Sequence, residues 1–139
     1  MKRTPLSLLA HWAGGQLHGE DVAIDAVSND TRAIVPGSLY VALRGERFDG
    51  HDFAAAAQAA GASALLVERV LDIALPQLVV DNAERALARI AAGIQAGRDT
   101  AVFAITGSNG KTSVKTLLAT VLGHAATVLG KTVYATPGN

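Results

Sequence analysis

A glycine-rich loop carrying a lysine and a threonine lies near the end of this 139-residue chain. It reads Thr106-Gly107-Ser108-Asn109-Gly110-Lys111-Thr112-Ser113 and follows the apolar run at 101–105. Glycines let backbone N–H groups approach a polyphosphate closely, and the start of a following helix favours negative charge. The pattern therefore predicts a phosphate-binding loop, in which Lys111 reaches the terminal phosphates and the Thr112 hydroxyl ligates Mg²⁺.

The loop departs from the general phosphate-loop pattern at one position. That pattern asks for a glycine where this chain has Ile105, so the turn falls to Thr106 and Gly107. The alternative interpretation is an ordinary strand-to-helix turn with an exposed lysine. We prefer the phosphate loop because an apolar strand, the loop, the Lys-Thr pair and a helical pattern occur in the order that the motif requires.

The elements before this loop alternate between strands and helices. Thr4 and Pro5 predict an N-cap and a first helical position, and Gly14-Gly15 predicts the end of that helix. An alanine-rich helix is expected to end near Gly61, and Asp81 with Glu84 resembles a capping box for another helix with an apolar face. Apolar runs predict strands around Val22–Val27, Ser38–Leu43, Ala64–Val67 and Gln77–Val80. That second helix is predicted to face the core with Leu87, Ile90, Ala91 and Ile94.

The polar stretch Gly97-Arg98-Asp99-Thr100 is the best candidate for a domain boundary. We expect residues 1–98 to form a small α/β substrate domain, and residues 99–139 to be the truncated start of an ATP-binding domain. This second part is predicted as a β–phosphate loop–α–β unit of a parallel sheet, with a helix through Leu117 and Leu122 and a further strand around Val128 and Val133. Because such a unit cannot close its own core, we expect the chain to be part of a larger protein.

Composition excludes several classes of function. The formal net charge is +0, which gives no electrostatic footprint for a nucleic acid or an anionic membrane. The chain has no cysteine, which excludes disulfides and thiolate metal sites, and its four histidines lack zinc-ligand spacing. No apolar stretch is long enough to cross a bilayer. We therefore expect a soluble cytoplasmic protein, a monomer without nucleic-acid partners or membrane insertion.

Two motif groups together resemble the bacterial Mur ligases. The first is Asp30-Thr31-Arg32, followed by the run at 36–45 and by Phe48-Asp49-Gly50-His51-Asp52-Phe53, which is similar to the N-terminal substrate domain of that family. The second is the loop at 106–112, which is similar to the family's ATP loop and stands at the expected place after that domain. The two groups are independent, occur in the right order and cover nearly the whole chain, and together they support the resemblance to this family.

Within the family, details favour one type of ligase. The segments at 45–53, Thr112-Ser113-Val114-Lys115 and the closing Thr136-Pro137-Gly138-Asn139 look most like the enzyme that joins D-alanyl-D-alanine to UDP-N-acetylmuramoyl-tripeptide. The nearest competitor is the enzyme that adds the third residue of the peptide. Either resemblance implies that ATP and Mg²⁺ convert the carboxylate of the UDP-linked peptide to an acyl phosphate, which the incoming amine then attacks.

The resemblance also implies which residues bind the ligands. The ATP loop supplies the residues 106–113, with Lys111 and Thr112 as catalytic residues and Thr112 on the metal. The residues implied to bind the UDP end of the substrate are Ser28, Asp30, Thr31, Arg32, Arg47, Phe48, Asp49, Gly50 and His51. Arg32 or Arg47 is suited to the diphosphate, and Phe48 to a base or sugar. The structural alternatives are that Asp30 and Arg32 only close a turn through an ion pair, and that Phe48 and Phe53 belong to the core.

The resemblance implies parts that these residues do not contain, namely a central acidic residue for Mg²⁺, a modified lysine and a third domain. We therefore expect the chain alone to show no turnover. Two functions of other classes stay open at this stage: a standalone module that binds a nucleotide sugar, and a phosphate-loop ATPase that works as a switch.

Overall fold

The computed structural model describes residues 1–136 of the chain. Of the closing motif predicted above, Pro137, Gly138 and Asn139 lie outside the described residues. The chain divides into two compact units, of which the first is Met1–Asp99 and the second starts at Thr100.

The first unit is built on a five-stranded sheet in which most neighbours run parallel. Its strands are β2 (Gln16–His18), β4 (Ala26–Ser28), β5 (Ser38–Val41), β6 (Ala64–Val67) and β7 (Gln77–Val79), in the spatial order β2-β7-β6-β5-β4. The four strands from β4 to β7 are parallel, and only β2 runs antiparallel, against β7. The predicted α/β class with its parallel sheet is confirmed for this unit.

Helices cover both faces of the sheet. They are α1 (Leu6–Ala13), α2 (Ala54–Ala59) and α3 (Ala83–Ala96). Side chains alternate along the strands, so that Leu39 and Val41 of β5 pack with α1 and α3, whereas Tyr40 packs with α2 on the other face. The four residues of β5 and of β6 are buried throughout, as expected of parallel strands covered on both sides. The unit therefore has three layers.

The start of α1 differs from the sequence prediction. Thr4 and Pro5 form β1, which pairs antiparallel with β3 (Ala23–Ile24) in a small separate sheet, and the helix begins only at Leu6. Pro5 is the N-cap residue with extended backbone, and the Thr4 hydroxyl donates to the carbonyl of Lys2. The predicted cap at Thr4 is therefore wrong by one residue. The predicted end is confirmed, because Gly14 adopts the left-handed conformation with φ of 69°.

The start of α3 is also displaced by one residue. Asn82 is the N-cap, and its side-chain oxygen accepts from the N–H of Arg85 at 2.8 Å, whereas Asp81 accepts from the N–H of Asn82. An asparagine side chain satisfies an N-terminal donor as well as an aspartate, so the pattern alone did not choose between the neighbours. Ile90 is buried as predicted, but Ala91 is exposed.

The second unit contains one long helix, α4 (Lys111–Val128). Among the described residues from 100 to 136, none forms a strand, so the predicted strands at 101–105 and around Val133 are not present, and Val128 lies in the last turn of α4. A strand exists only where its backbone pairs with a neighbour, and these segments have no paired partner within residues 100–136. No helix in residues 1–136 is long and apolar enough to cross a membrane.

Candidate functional site

The loops that follow β4, β5 and β6 leave the same edge of the sheet. In parallel strands the carboxyl ends meet at one edge, and ligands of open α/β sheets bind in the crevice outside that edge. The β4 loop carries Asp30, the β5 loop carries Asp49 and His51, and β6 leads directly into Glu68. The two halves of the predicted substrate motif are therefore brought together by parallel pairing of β4 with β5.

Asp30 organises the turn after β4. Its carboxylate caps the short 3-10 helix Thr31–Ala33 by accepting from the N–H of Arg32 at 2.9 Å. The same carboxylate accepts from the Arg32 guanidinium, with 2.7 Å between Nη2 and Oδ2. The side-chain hydrogen bond from Arg32, followed by the backbone one, lowers the pKa of Asp30 from 3.8 to about 2. The predicted ion pair therefore exists, and it leaves the rest of the exposed Arg32 head in solvent.

The loop after β5 folds back on itself before the next helix. Arg44 and Asp49 form an isolated antiparallel bridge, and the N–H of Gly45 donates to the carbonyl of Phe48 at 2.8 Å. Asp49 then caps the 3-10 helix Gly50–Phe53 by accepting from the N–H of His51 at 3.0 Å. The tip of the loop, which includes Arg47, is exposed.

His51 is fully buried under this loop and uses both ring nitrogens. Its Nε2 lies 2.9 Å from the backbone nitrogen of Glu68, which can only donate, so Nε2 is the acceptor. The proton of the neutral ring is therefore on Nδ1, which donates to Oδ1 of Asp49 at 2.5 Å. His51 thus links the β5 loop to the end of β6.

Two arginine side chains lie close to the Asp49 carboxylate. Its Oδ2 lies 3.6 Å from Nε of Arg44 and 3.5 Å from Nη1 of Arg69. The backbone hydrogen bond from His51 is the main reason that the pKa of Asp49 falls from 3.8 to about 2, with the His51 side chain second. Glu68 lies beside this group, with Oε2 3.4 Å from Nε of Arg44 and Oε1 accepting from the N–H of Ala83 at the start of α3.

A shallow cleft of about 410 Å³ opens between the β4 turn and the β5 loop. Its lining consists of Asn29, Asp30, Thr31, Arg32, Tyr40 and Phe53. Phe53 is 43% exposed and Phe48 is 70% exposed, and their rings meet edge to face with centroids 6.3 Å apart. Neither phenylalanine belongs to the core. A cleft lined by an arginine and by the half-exposed ring of Phe53 can hold an anionic ligand that carries a planar ring.

The predicted substrate residues separate into two groups in the structure. Asp30, Thr31 and Arg32 line the cleft, and Arg47 and Phe48 are exposed on the β5 loop. The others hold the loops in place: Ser28 through its hydroxyl bonds with the backbone of Asp30, and Asp49, Gly50 and His51 through the turn described above.

Sequence reasoning missed six residues at this edge. They are Asn29, Tyr40, Arg44, Phe53, Glu68 and Arg69. Arg44, Glu68 and Arg69 follow the ends of the buried β5 and β6 runs, so the rule on carboxyl ends of parallel strands could have indicated them. Tyr40 could not be found in this way because it lies inside a strand; its hydroxyl donates to the carbonyl of Gly50 at 3.0 Å, and burial raises its pKa.

The glycine loop of the second unit leads directly into α4. Gly110 is the N-cap residue, in the left-handed conformation with φ of 75°, and Gly107 also has a positive φ of 150°. Gly110 has no side chain and therefore makes no side-chain cap to the first turn of α4. Lys111 and Thr112 are the first two residues of the helix and are exposed, as are Thr106, Ser108, Asn109 and Ser113.

Comparison with known proteins places this arrangement in a family. The family model described as "Mur ligase family, catalytic domain" matches residues 23–96, which is more than half of the chain. The chain belongs to the Mur ligase family. The matched residues contain all the strands from β3 to β7 and both loops that border the cleft.

Individual Mur ligases match the segment over most of its length. It is 50% identical over 134 residues to the UDP-N-acetylmuramoyl-tripeptide--D-alanyl-D-alanine ligase of Escherichia coli, and this match covers 96% of the chain and 28% of the relative. It is also 38% identical over 117 residues to the UDP-N-acetylmuramoyl-L-alanyl-D-glutamate--2,6-diaminopimelate ligase of Geobacillus kaustophilus, covering 81% of the chain and 24% of the relative. The chain therefore spans about a quarter of the length of these relatives.

A solved structure shows the same fold. The crystal structure of MurF from Acinetobacter baumannii superimposes with a TM-score of 0.79 at 32% identity. The alignment covers 89% of this Mur ligase chain and 29% of the MurF chain.

Proposed function

We propose that the complete protein is an ATP-dependent ligase that adds D-alanyl-D-alanine to UDP-N-acetylmuramoyl-tripeptide in the synthesis of peptidoglycan precursors. The observation that carries this proposal is the 50% identity to the Escherichia coli ligase of that name, which extends over 134 residues and so includes the substrate loops and the glycine loop. On this proposal the first unit binds the UDP-linked substrate and the second begins the ATP-binding domain, in the cytoplasm and as a monomer.

The cleft at the sheet edge is the proposed site for the UDP end of the substrate. Arg32 and Arg47 are exposed and supply positive charge for the diphosphate, and Thr31 adds a hydroxyl. Phe48 and Phe53 offer exposed ring faces and edges for the base or sugar. Ser28 and Asp30 contribute by holding the β4 turn, and Asp49, Gly50 and His51 by holding the β5 loop.

The residues around Lys111 fit the phosphates of ATP. The N–H groups of the first turn of α4 follow Gly110, an N-cap residue without a side chain, and both Gly107 and Gly110 have a positive φ in the backbone that leads to the helix start. Lys111 adds a full positive charge beside these donors. Thr112 offers a hydroxyl to Mg²⁺, which when bound supplies further positive charge at the phosphates.

The proposed reaction forms an amide through an activated acid. The terminal carboxylate of the tripeptide attacks the γ-phosphorus of ATP, and the bond to ADP breaks, giving an acyl phosphate. The amine of D-alanyl-D-alanine then attacks the acyl carbon, loses a proton and displaces phosphate. Lys111 and the loop N–H groups offset the negative charge on the transferring phosphoryl group.

A second candidate is the ligase that adds the third residue of the peptide. The 38% identity to the diaminopimelate ligase of Geobacillus kaustophilus favours it over functions outside the family. The two candidates share the UDP end and ATP, and they differ in the acceptor and in the amine. The two candidates can therefore be distinguished by which acceptor and amine the protein uses.

The test is a ligation assay on the full-length protein with ATP and Mg²⁺. We expect a product with the mass of the UDP-linked pentapeptide when the tripeptide and D-alanyl-D-alanine are supplied, and none when the dipeptide precursor and diaminopimelate are supplied. The reverse pattern would establish the second candidate. Binding of the UDP-linked tripeptide without any ligation would instead identify a nucleotide-sugar-binding module. The 139-residue chain alone is expected to bind without turnover.

A further inference from the structure

His51 joins the β5 loop, the 3-10 helix Gly50–Phe53 and the end of β6 through hydrogen bonds made inside the protein. Its Nε2 accepts from the N–H of Glu68 at the end of β6, and its Nδ1 donates to Asp49, which in turn caps the turn that contains His51. The ring is fully buried and both nitrogens are occupied. An imidazole held in this way has no atom left for a ligand in the cleft.

The turn held by His51 carries the aromatic side of the cleft. Phe53 is the last residue of the 3-10 helix Gly50–Phe53 and lines the cleft, and its ring contacts Phe48 of the preceding loop. The Tyr40 hydroxyl donates to the carbonyl of Gly50, at the first residue of the same helix. The 3-10 helix is therefore fixed from β5 by Tyr40 and from β6 by His51, and the side of it that faces outward presents Phe53.

We propose that His51 is a positioning residue that places Phe53 and the β5 loop for binding of the nucleotide end of the substrate. The inference rests on the proposed function, because it concerns the same cleft. It differs from a direct ligand contact, which the family resemblance had implied for His51. The part of the ring that matters most is Nε2, since Asp49 still accepts from the backbone N–H of residue 51 when the ring is removed.

Two amide substitutions at position 51 test the two hydrogen bonds of the imidazole separately. In His51→Gln the longer side chain brings an oxygen to the place of Nε2, where it accepts from the N–H of Glu68. In His51→Asn the shorter side chain can donate to Asp49 and cannot reach Glu68, which leaves a buried N–H without a partner. His18→Gln is the matched control, because His18 is an exposed histidine paired with the opposite, amino-terminal end of β7.

The experiment measures binding of UDP to the 139-residue chain by calorimetry, at a temperature well below each unfolding midpoint. We expect His51→Asn to weaken UDP binding about tenfold, because the β5 loop and Phe53 would then have to be ordered when the ligand binds. His51→Gln is expected to stay within about twofold of the unchanged chain, as is His18→Gln. Phe53→Ala is expected to weaken binding as well, and His51→Asn in the Phe53→Ala background should add little, since both changes act on one wall.

A purely structural role would lower the unfolding midpoint of His51→Asn and leave its UDP affinity unchanged, and that result would overturn the inference. If His51→Asn does not fold, the nitrogen chemical shifts of the unchanged chain decide, because a proton found on Nε2 would contradict the anchor to Glu68. If the unchanged chain does not bind UDP at all, the proposed function of the cleft fails and this inference fails with it. If the unchanged chain and His51→Asn bind UDP with equal affinity, the inference about His51 fails while the proposed function of the cleft stands.

Discussion

Trp12 of α1 lies directly over the α-carbon of Gly93 in α3. A β-carbon on Gly93 would lie 2.3 Å from Cδ2 of Trp12 and 2.5 Å from its Cγ, which is closer than carbon atoms can approach. The two helices pack on the same face of the sheet, and the missing side chain at Gly93 makes room for the indole between them. The close approach of α1 and α3 thus depends on this pair.

Gly93→Ala is expected to destabilise the first unit by about 1–2 kcal/mol. Overpacking of this kind costs about 1–3 kcal/mol, and the better helix propensity of alanine returns up to about 1 kcal/mol. Urea unfolding of the 139-residue chain measures the change. In a Trp12→Leu background the clash is relieved, so the same substitution should be neutral or stabilising. Equal effects of Gly93→Ala in the two backgrounds would show that the indole does not occupy this space.

Gln77→Leu is expected to lower stability because the Gln77 side chain holds the β6–β7 connection. Gln77 is buried; its Oε1 accepts from the N–H of Leu71 at 2.8 Å, and its Nε2 donates to the carbonyls of Leu71 and Ile73. Leucine fills a similar volume and leaves the N–H of Leu71 unpaired, at a cost of about 1–3 kcal/mol, while the two carbonyls keep the backbone N–H groups of Ile73 and Leu75 as donors. Urea unfolding tests this against Gln16→Leu, an exposed strand glutamine whose replacement should change little.

The pH dependence of stability should contain a contribution from Asp30 and Asp49. The pKa of each falls from 3.8 to about 2 in the folded chain, through hydrogen bonds from Arg32 and from His51 respectively. Because the folded pKa is the lower one, the stabilisation is complete above 3.8 and is lost as the pH falls toward about 2. Unfolding midpoints measured across this window should fall less steeply in Asp30→Asn and in Asp49→Asn than in the unchanged chain.

The two aspartates have separate partners, so their effects on this slope should add in the double variant. A slope that is the same in all four proteins would mean that neither carboxylate gains its hydrogen bonds on folding.

The sequence predicts the layers of the first unit well because buried strands appear in it as continuous apolar runs. The run at 39–41 and the strand Ala64–Val67 are apolar on both faces, as expected of covered parallel strands, and Gly14 ends α1 because a left-handed residue is needed there. The starts of α1 and α3 differ from the prediction by one residue. At Thr4 and at Asp81 a residue suited to capping stands beside the position that the tertiary structure uses.

The site was predicted only in part, for a physical reason. Asp30, Thr31 and Arg32 form a local motif, and their turn is closed by contacts two residues apart. The contribution of Glu68 depends on pairing of β5 with β6, which brings it to His51 across 17 positions of sequence. In the second unit the predicted strands have no partner among residues 100–136, so local propensity alone did not produce them.

Lys111→Ala in the full-length protein should impair the use of ATP without changing the binding of UDP. Lys111 lies at the start of α4 in the second unit, whereas the cleft proposed for UDP belongs entirely to the first unit. Loss of the ammonium group removes charge stabilisation from the phosphoryl transfer, and we expect ligation to fall about 10²–10³-fold in kcat with weaker ATP binding. The affinity for UDP, measured by calorimetry, should stay unchanged. The control is Lys2→Ala, at an exposed lysine near the start of the chain, which should retain both UDP affinity and ligation.

Undiminished ligation by Lys111→Ala would show that the glycine loop does not hold ATP. A loss of UDP affinity in the same variant would show that the two sites are not independent.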